Sequence, residues 1–159
     1  MISEKLVKAF NDQIVAELWS SNLYLQMAFY LKKEGWNGAA NWMLRQSGEE
    51  KEHALKLADY AIKRGGEVKV GMIDVVPDGW GSLQDVFENV YEHELHVSKL
   101  IDDLAGVAEA ENDRATREFL NWFIREQVEE EDSALEIVER LKKAGEAGAF
   151  FVDAELAKR

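Results

Sequence analysis

The chain contains no cysteine, which excludes disulfides, zinc ribbons, iron–sulfur clusters and thiol nucleophiles. It has a single proline in 159 residues and few alternating β-branched runs, so long helices are favoured over sheet. No apolar run approaches the roughly 20 residues needed to span a bilayer. The opening MISEKLVKAFNDQ is a charged amphipathic pattern and not a signal peptide, so no membrane partner and a cytoplasmic location are expected. Positive charge is scarce: 19 Lys and Arg stand against 31 Asp and Glu, for a formal net charge of −12. With no basic stripe, a nucleic-acid partner is not expected. An acidic surface attracts cations, although it equally keeps helical proteins soluble. Gly-rich phosphate loops and nucleophile elbows are absent too.

What is present is helical periodicity. Four long segments, about 4–34, 38–65, 83–111 and 113–144, carry strong helix formers inside and breakers at their ends. EGWNG separates the first two, AENDR the last two, and Ser82 is placed to cap the third. Short links make antiparallel neighbours of one and two, and of three and four. The exception is the 17-residue GEVKVGMIDVVPDGWGS, which fully extended reaches about 55 Å at about 3.3 Å per residue. A 28-residue helix is only about 42 Å long, so this link can run the length of a bundle and start the third helix at the same end as the second. The fold expected is an all-α four-helix bundle with a long crossover between helices 2 and 3, in one domain over 1–159. A short fifth helix is expected at about 147–157. Phe150, Phe151, Val152 and Leu156 give that tail enough apolar surface either to fold back on its own bundle or to pack against other subunits.

Each helix has a core stripe that is interrupted by polar groups at its middle. The stripes run Leu6, Phe10, Ile14, Glu17, Ser21, Tyr24, Ala28, Leu31; Ala39, Met43, Gln46, Glu50, His53, Leu57, Tyr60; Leu83, Phe87, Val90, Glu94, Val97, Ile101, Leu104; and Thr116, Leu120, Phe123, Gln127, Glu130, Ala134, Ile137, Leu141. Glu17, Glu50, Glu94 and Gln127 each lie eleven residues past the start of their stripe, so Glu17, Glu50, His53, Glu94, Gln127 and Glu130 should meet in one layer. An unpaired carboxylate in a low-dielectric core costs several kcal/mol, and like charges add to the penalty. No Lys or Arg lies on any stripe to offset it. Four carboxylates with one imidazole suit two divalent ions of the iron or manganese kind. The Glu50-x-x-His53 spacing puts both groups on one helix face, where Glu50 can bridge two metals while His53 closes on one.

At these residues the chain resembles the bacterial non-haem ferritins over essentially its whole length. It keeps Glu17, Glu94 and Glu50-x-x-His53, but its fourth helix reads Gln127-x-x-Glu130 and not a second Glu-x-x-His, unlike bacterioferritins and rubrerythrins. The resemblance implies that Glu17, Glu50 and His53 hold a first iron, and that Glu50, Glu94 and Glu130 hold a second, with Gln127 beside them. It implies that Tyr24 hydrogen-bonds Glu94 and gives an electron during oxidation; the plainer reading is a buried tyrosine bonded to any acceptor. Glu49, Glu126 and Glu129 lie one step off the stripes. Alone, EQVEEED reads as a solvated face, whereas the resemblance implies a third iron site there. No haem is expected, because bacterioferritins ligate it with a methionine where this chain has Lys51.

The activity implied is that of a ferroxidase: Fe(II) is oxidised by O2 or H2O2 and kept as a hydrous ferric oxide inside a homo-oligomeric shell of 24 subunits. In that shell the tail would be a fifth helix about the four-fold axes. Glu109, Glu111 and Asp113 read either as a cation path or, more simply, as a solvated helix-end cluster. His93 and His96 flank Glu94 but point off its stripe, which suggests surface or interface positions. Two further readings stay open: a di-iron or di-manganese redox enzyme of the rubrerythrin kind, and a non-enzymatic helical interaction protein with an acidic core.

Overall fold

The computed structural model describes residues 1–159 and contains four helices: α1 (Glu4–Glu34), α2 (Asn37–Lys63), α3 (Leu83–Ala110) and α4 (Arg114–Leu156). Their ends follow local chemistry. Ser3 accepts from the Leu6 amide to start α1, and Gly35, at φ 90°, closes it in the left-handed conformation that glycine tolerates. Ser82 and Asp85 form a reciprocal capping box at α3. Asp113 caps α4 through the Thr116 amide and also binds the Arg64 guanidinium at 3.1 and 3.2 Å. Glu111 accepts from Ser3 Oγ at 2.7 Å, so two of the three acids at this corner tie helix ends together.

Helix α1 packs along α2, and α3 along α4, with further contacts between α1 and α3 and between α2 and α4. The crossover joining α2 to α3 is pinned to α1 in rising order. Asn11 bonds Glu67 O and Lys69 N, Trp19 donates to Val75 O, and Tyr30 bonds both Gly81 O and Gly81 N. The link therefore runs in the direction of α1, and α2 and α3 point the same way. No helix is long and apolar enough to cross a membrane.

Two apolar clusters fill the bundle. One gathers Tyr24, Met27, Leu31, Met43, Phe87 and Leu141; the other gathers Leu6, Phe10, Leu57, Ile101, Leu120 and Phe123. The polar layer lies between them along every stripe. Desolvated on both sides, it sits near mid-helix.

Helix α4 is interrupted at Gly145, whose φ 66° and ψ −176° are not helical. Beyond the break Ala149, Val152 and Leu156 are buried against the bundle, whereas Phe150 and Phe151 are 71% and 78% exposed. Trp36, which precedes α2, offers no side-chain cap. Asp153 supplies one from the tail, accepting from Ala39 N at 2.7 Å and Gly38 N at 3.3 Å. A Cβ on Gly38 would lie 1.9 Å from the Asp153 carbonyl oxygen. Gly38→Ala is therefore expected to lift the tail and cost about 2 kcal/mol, seen as faster amide exchange over residues 149–156. Gly106→Ala, with open space around it, should instead stabilise α3 slightly.

Candidate metal centre

The layer assembles as its register requires. Glu17, Glu50, Glu94, His53 and Gln127 are buried and Glu130 is partly so. Side-chain donors gather into three groups within mutual ligand reach: Glu17, Glu50 and His53; Glu50, Glu94 and Glu130; and His53, Glu126 and Glu130. Glu50 belongs to the first two, as a bridging ligand would. His53 Nδ1 lies 3.3 Å from Glu50 Oε2 and 4.0 Å from Glu17 Oε2.

Amides hold the carboxylates. Gln13 Nε2 donates to Glu17 Oε1 at 3.1 Å, and Gln46 Nε2 donates to Glu50 Oε1 at 3.2 Å and Glu130 Oε2 at 2.7 Å. Gln127 Nε2 faces Glu94 Oε2 at 3.1 Å, Glu94 O at 3.2 Å and Ser98 Oγ at 3.2 Å. The Tyr24 hydroxyl donates to Glu94 Oε1. Two oxygens remain without any partner, Glu17 Oε2 and Glu50 Oε2, both fully buried and both facing His53. Buried polar atoms are rarely left unpaired, and two carboxylate oxygens converging on one imidazole is what a cation site needs.

Proton affinities report the same strain. Burial, then the Glu94 charge, push Glu50 up to about 8. Burial, then Glu94, push Glu130 up to about 7. Glu17 is raised by burial and by Glu50, and Glu94 by burial, opposed by its bonds from Tyr24 and Gln127. Burial is the largest cause in all four, because a low-dielectric core disfavours the ionised form.

The roles of several residues around the layer were not evident beforehand. Gln13 and Gln46 each precede a layer glutamate by four residues, a spacing that brings an amide onto a carboxylate one turn away; that repeated Gln-x-x-x-Glu was the available signal. His93, expected at the surface or at an interface, is partly buried within this chain: its ring packs on Trp19 and Tyr24, and its Nε2 lies 2.8 Å from Ser20 Oγ. Burial lowers it to about 4. Glu49, Glu126 and Glu129 do not form one cluster. Glu126 sits with His53 and Glu130, whereas Glu49 and Glu129 line a cleft of about 350 Å³ beside Glu130. Arg159 reaches into that cleft, and no local sequence pattern foretells it.

A four-helix bundle with a long crossover and one buried carboxylate–imidazole layer defines the class of ferritin-like metal-binding bundles. The sequence profile of the ferritin-like domain matches residues 7–144. A bacterial non-heme ferritin of Bacteroides fragilis is 60% identical over 159 residues, covering all of both chains. A bacterial non-heme ferritin of Escherichia coli O157:H7 is 32% identical, covering 99% of this chain and 96% of its own. An open-pore ferritin from the archaeon Archaeoglobus fulgidus superposes with a TM-score of 0.98 at 48% identity, covering 100% of this chain and 99% of its own. The chain belongs to the ferritin family, in its bacterial non-haem branch.

Proposed function

We propose that this protein stores iron and oxidises it on entry. The observation that carries the reading is the pair of unpartnered buried oxygens, Glu17 Oε2 and Glu50 Oε2, beside His53. Iron is the substrate. Glu17, Glu50 and His53 bind one Fe(II), and Glu50, Glu94 and Glu130 bind another. A pair of Fe(II) ions supplies the two electrons that reduce O2 to H2O2, or H2O2 to water. Hard carboxylate oxygens favour this direction because they stabilise Fe(III) over Fe(II). Tyr24 and Gln127 fix Glu94 from two sides, so its oxygens stay aimed while charge changes nearby. The cleft lined by Glu49, Glu129 and Glu130 offers a third, outlying position toward which ferric product can leave. Hydrolysis to a hydrous oxide then needs an enclosed space, for which the family relationship supports a shell of 24 identical chains. Phe150 and Phe151, exposed on the tail, suit contact between subunits there.

Chromatography and iron loading test this together. The protein should elute as a particle of several hundred kilodaltons and, on repeated aerobic Fe(II) addition, retain soluble iron far beyond three ions per chain. A monomer or dimer, or precipitation of all iron past that ratio, overturns storage.

A further inference from the structure

The cleft lined by Glu49, Glu129 and Glu130 already holds a positive group of the chain's own. Arg159 Nη2 lies 2.9 Å from Glu49 Oε2 and donates to Gln46 Oε1 at 2.8 Å, while Nη1 donates to Trp42 O at 3.2 Å. Its guanidinium carbon stacks 4.4 Å from the Trp42 ring centroid. The side chain is only 25% exposed. Four separate contacts from one helix seat it, and the docking of Val152 and Leu156 brings it there.

Two consequences follow from donor chemistry. A guanidinium has no acceptor atom, so Gln46 must turn its carbonyl oxygen toward Arg159. Its Nε2 is then committed to the other side, where it meets Glu50 Oε1 and Glu130 Oε2. Arg159 thus orients the amide that holds two layer carboxylates without touching either. Moreover, a guanidinium and a divalent cation compete for the same oxygens of Glu49.

We propose that Arg159 is a tethered cation that guards this cleft: seated, it positions Gln46 and Glu49, and a third metal ion binds only as it swings out. The proposal rests on the reading of the layer as a metal site. It adds a device that keeps the outlying position closed until metal arrives, and that couples its filling to the freedom of Gln46.

Anaerobic titration with Zn(II), a redox-inert probe, separates the two claims. The assembled protein should bind two Zn(II) per chain in the layer and a third more weakly. Removing one positive charge a few ångströms from the third ion in Arg159→Gln should tighten that third step about tenfold, given the partial solvent exposure. Arg159→Lys keeps the charge and should stay within about threefold of the natural protein, which a merely structural role for the side chain would not produce. Anomalous diffraction from Zn(II)-soaked crystals should place the third ion among Glu49, Glu129 and Glu130, with the guanidinium displaced. Two layer ions bound but a third step unchanged in Arg159→Gln would overturn the guarding role alone. Absence of layer binding in the natural protein would overturn the metal reading, and this proposal with it.

Discussion

A Glu50→Ala, His53→Ala variant is expected to oxidise Fe(II) more than about a hundredfold more slowly than the natural protein while keeping its fold. Loss of even an outer partner of a metal ligand costs about ten- to a hundredfold, and here the proposed bridging carboxylate and the single imidazole go together. The fold should survive because the two apolar clusters flank the layer and do not depend on it. Removing a buried, unanswered carboxylate also relieves a desolvation penalty. Stopped-flow absorbance of the ferric product gives the rate. Trp122 gives an independent reading of binding, since its ring stands edge-on to His53 with centroids 5.4 Å apart. Anaerobic Fe(II) should quench its fluorescence in the natural protein and leave the variant unchanged. Oxidation in the variant at the natural rate would remove the layer from the mechanism.

The second large effect concerns pH. Carboxyls held at about 8 and about 7 in Glu50 and Glu130 stay protonated in the folded chain, whereas in the unfolded chain they ionise near 4.3. Between those values the native state binds more protons, so stability falls as pH rises. His93, lowered to about 4 by burial, acts in the opposite sense, but only below its unfolded value near 6.5. The window from pH 6.5 to 8.5 therefore isolates the layer. Across it the metal-free protein should lose about 2 kcal/mol through Glu50 alone, read as a falling denaturant midpoint. Divalent cations should abolish the loss, because they replace protons as the compensating charge and release them to buffer. A midpoint that rises with pH without metal would refute the buried, uncompensated layer.

Much of this arrangement was legible in the chain. The positions named on the four stripes are buried, apart from Ser21, Tyr60 and Glu130, which are partly so. The reason is physical: a 3.6-residue period is imposed by the core, and a carboxylate on a core position is an anomaly that marks itself. Ser82 could be recognised as a cap because capping is local. Contacts made across the fold were hidden. Nothing near Asp153 in sequence announces that it caps α2, and nothing near Arg159 announces Gln46. The amides at Gln13 and Gln46 were half-visible, since they repeat one spacing, but an amide on a helix is ordinary until its carboxylate is seen to lack other partners. The tail shows why two readings stood open: one face is buried on its own bundle and the other is bare, and a residue list cannot divide them without the break at Gly145.

Those amides also set a tempo. An arginine in the place of Gln13, Gln46 or Gln127 would clasp its carboxylate through two charged bonds and freeze it. A neutral amide grips only one carboxylate oxygen of each layer glutamate it reaches, with a single bond that a metal's charge can outbid. On the proposed reading the layer is a turnstile and not a vault, built to admit, convert and discharge its cargo repeatedly and to leave permanence to the mineral.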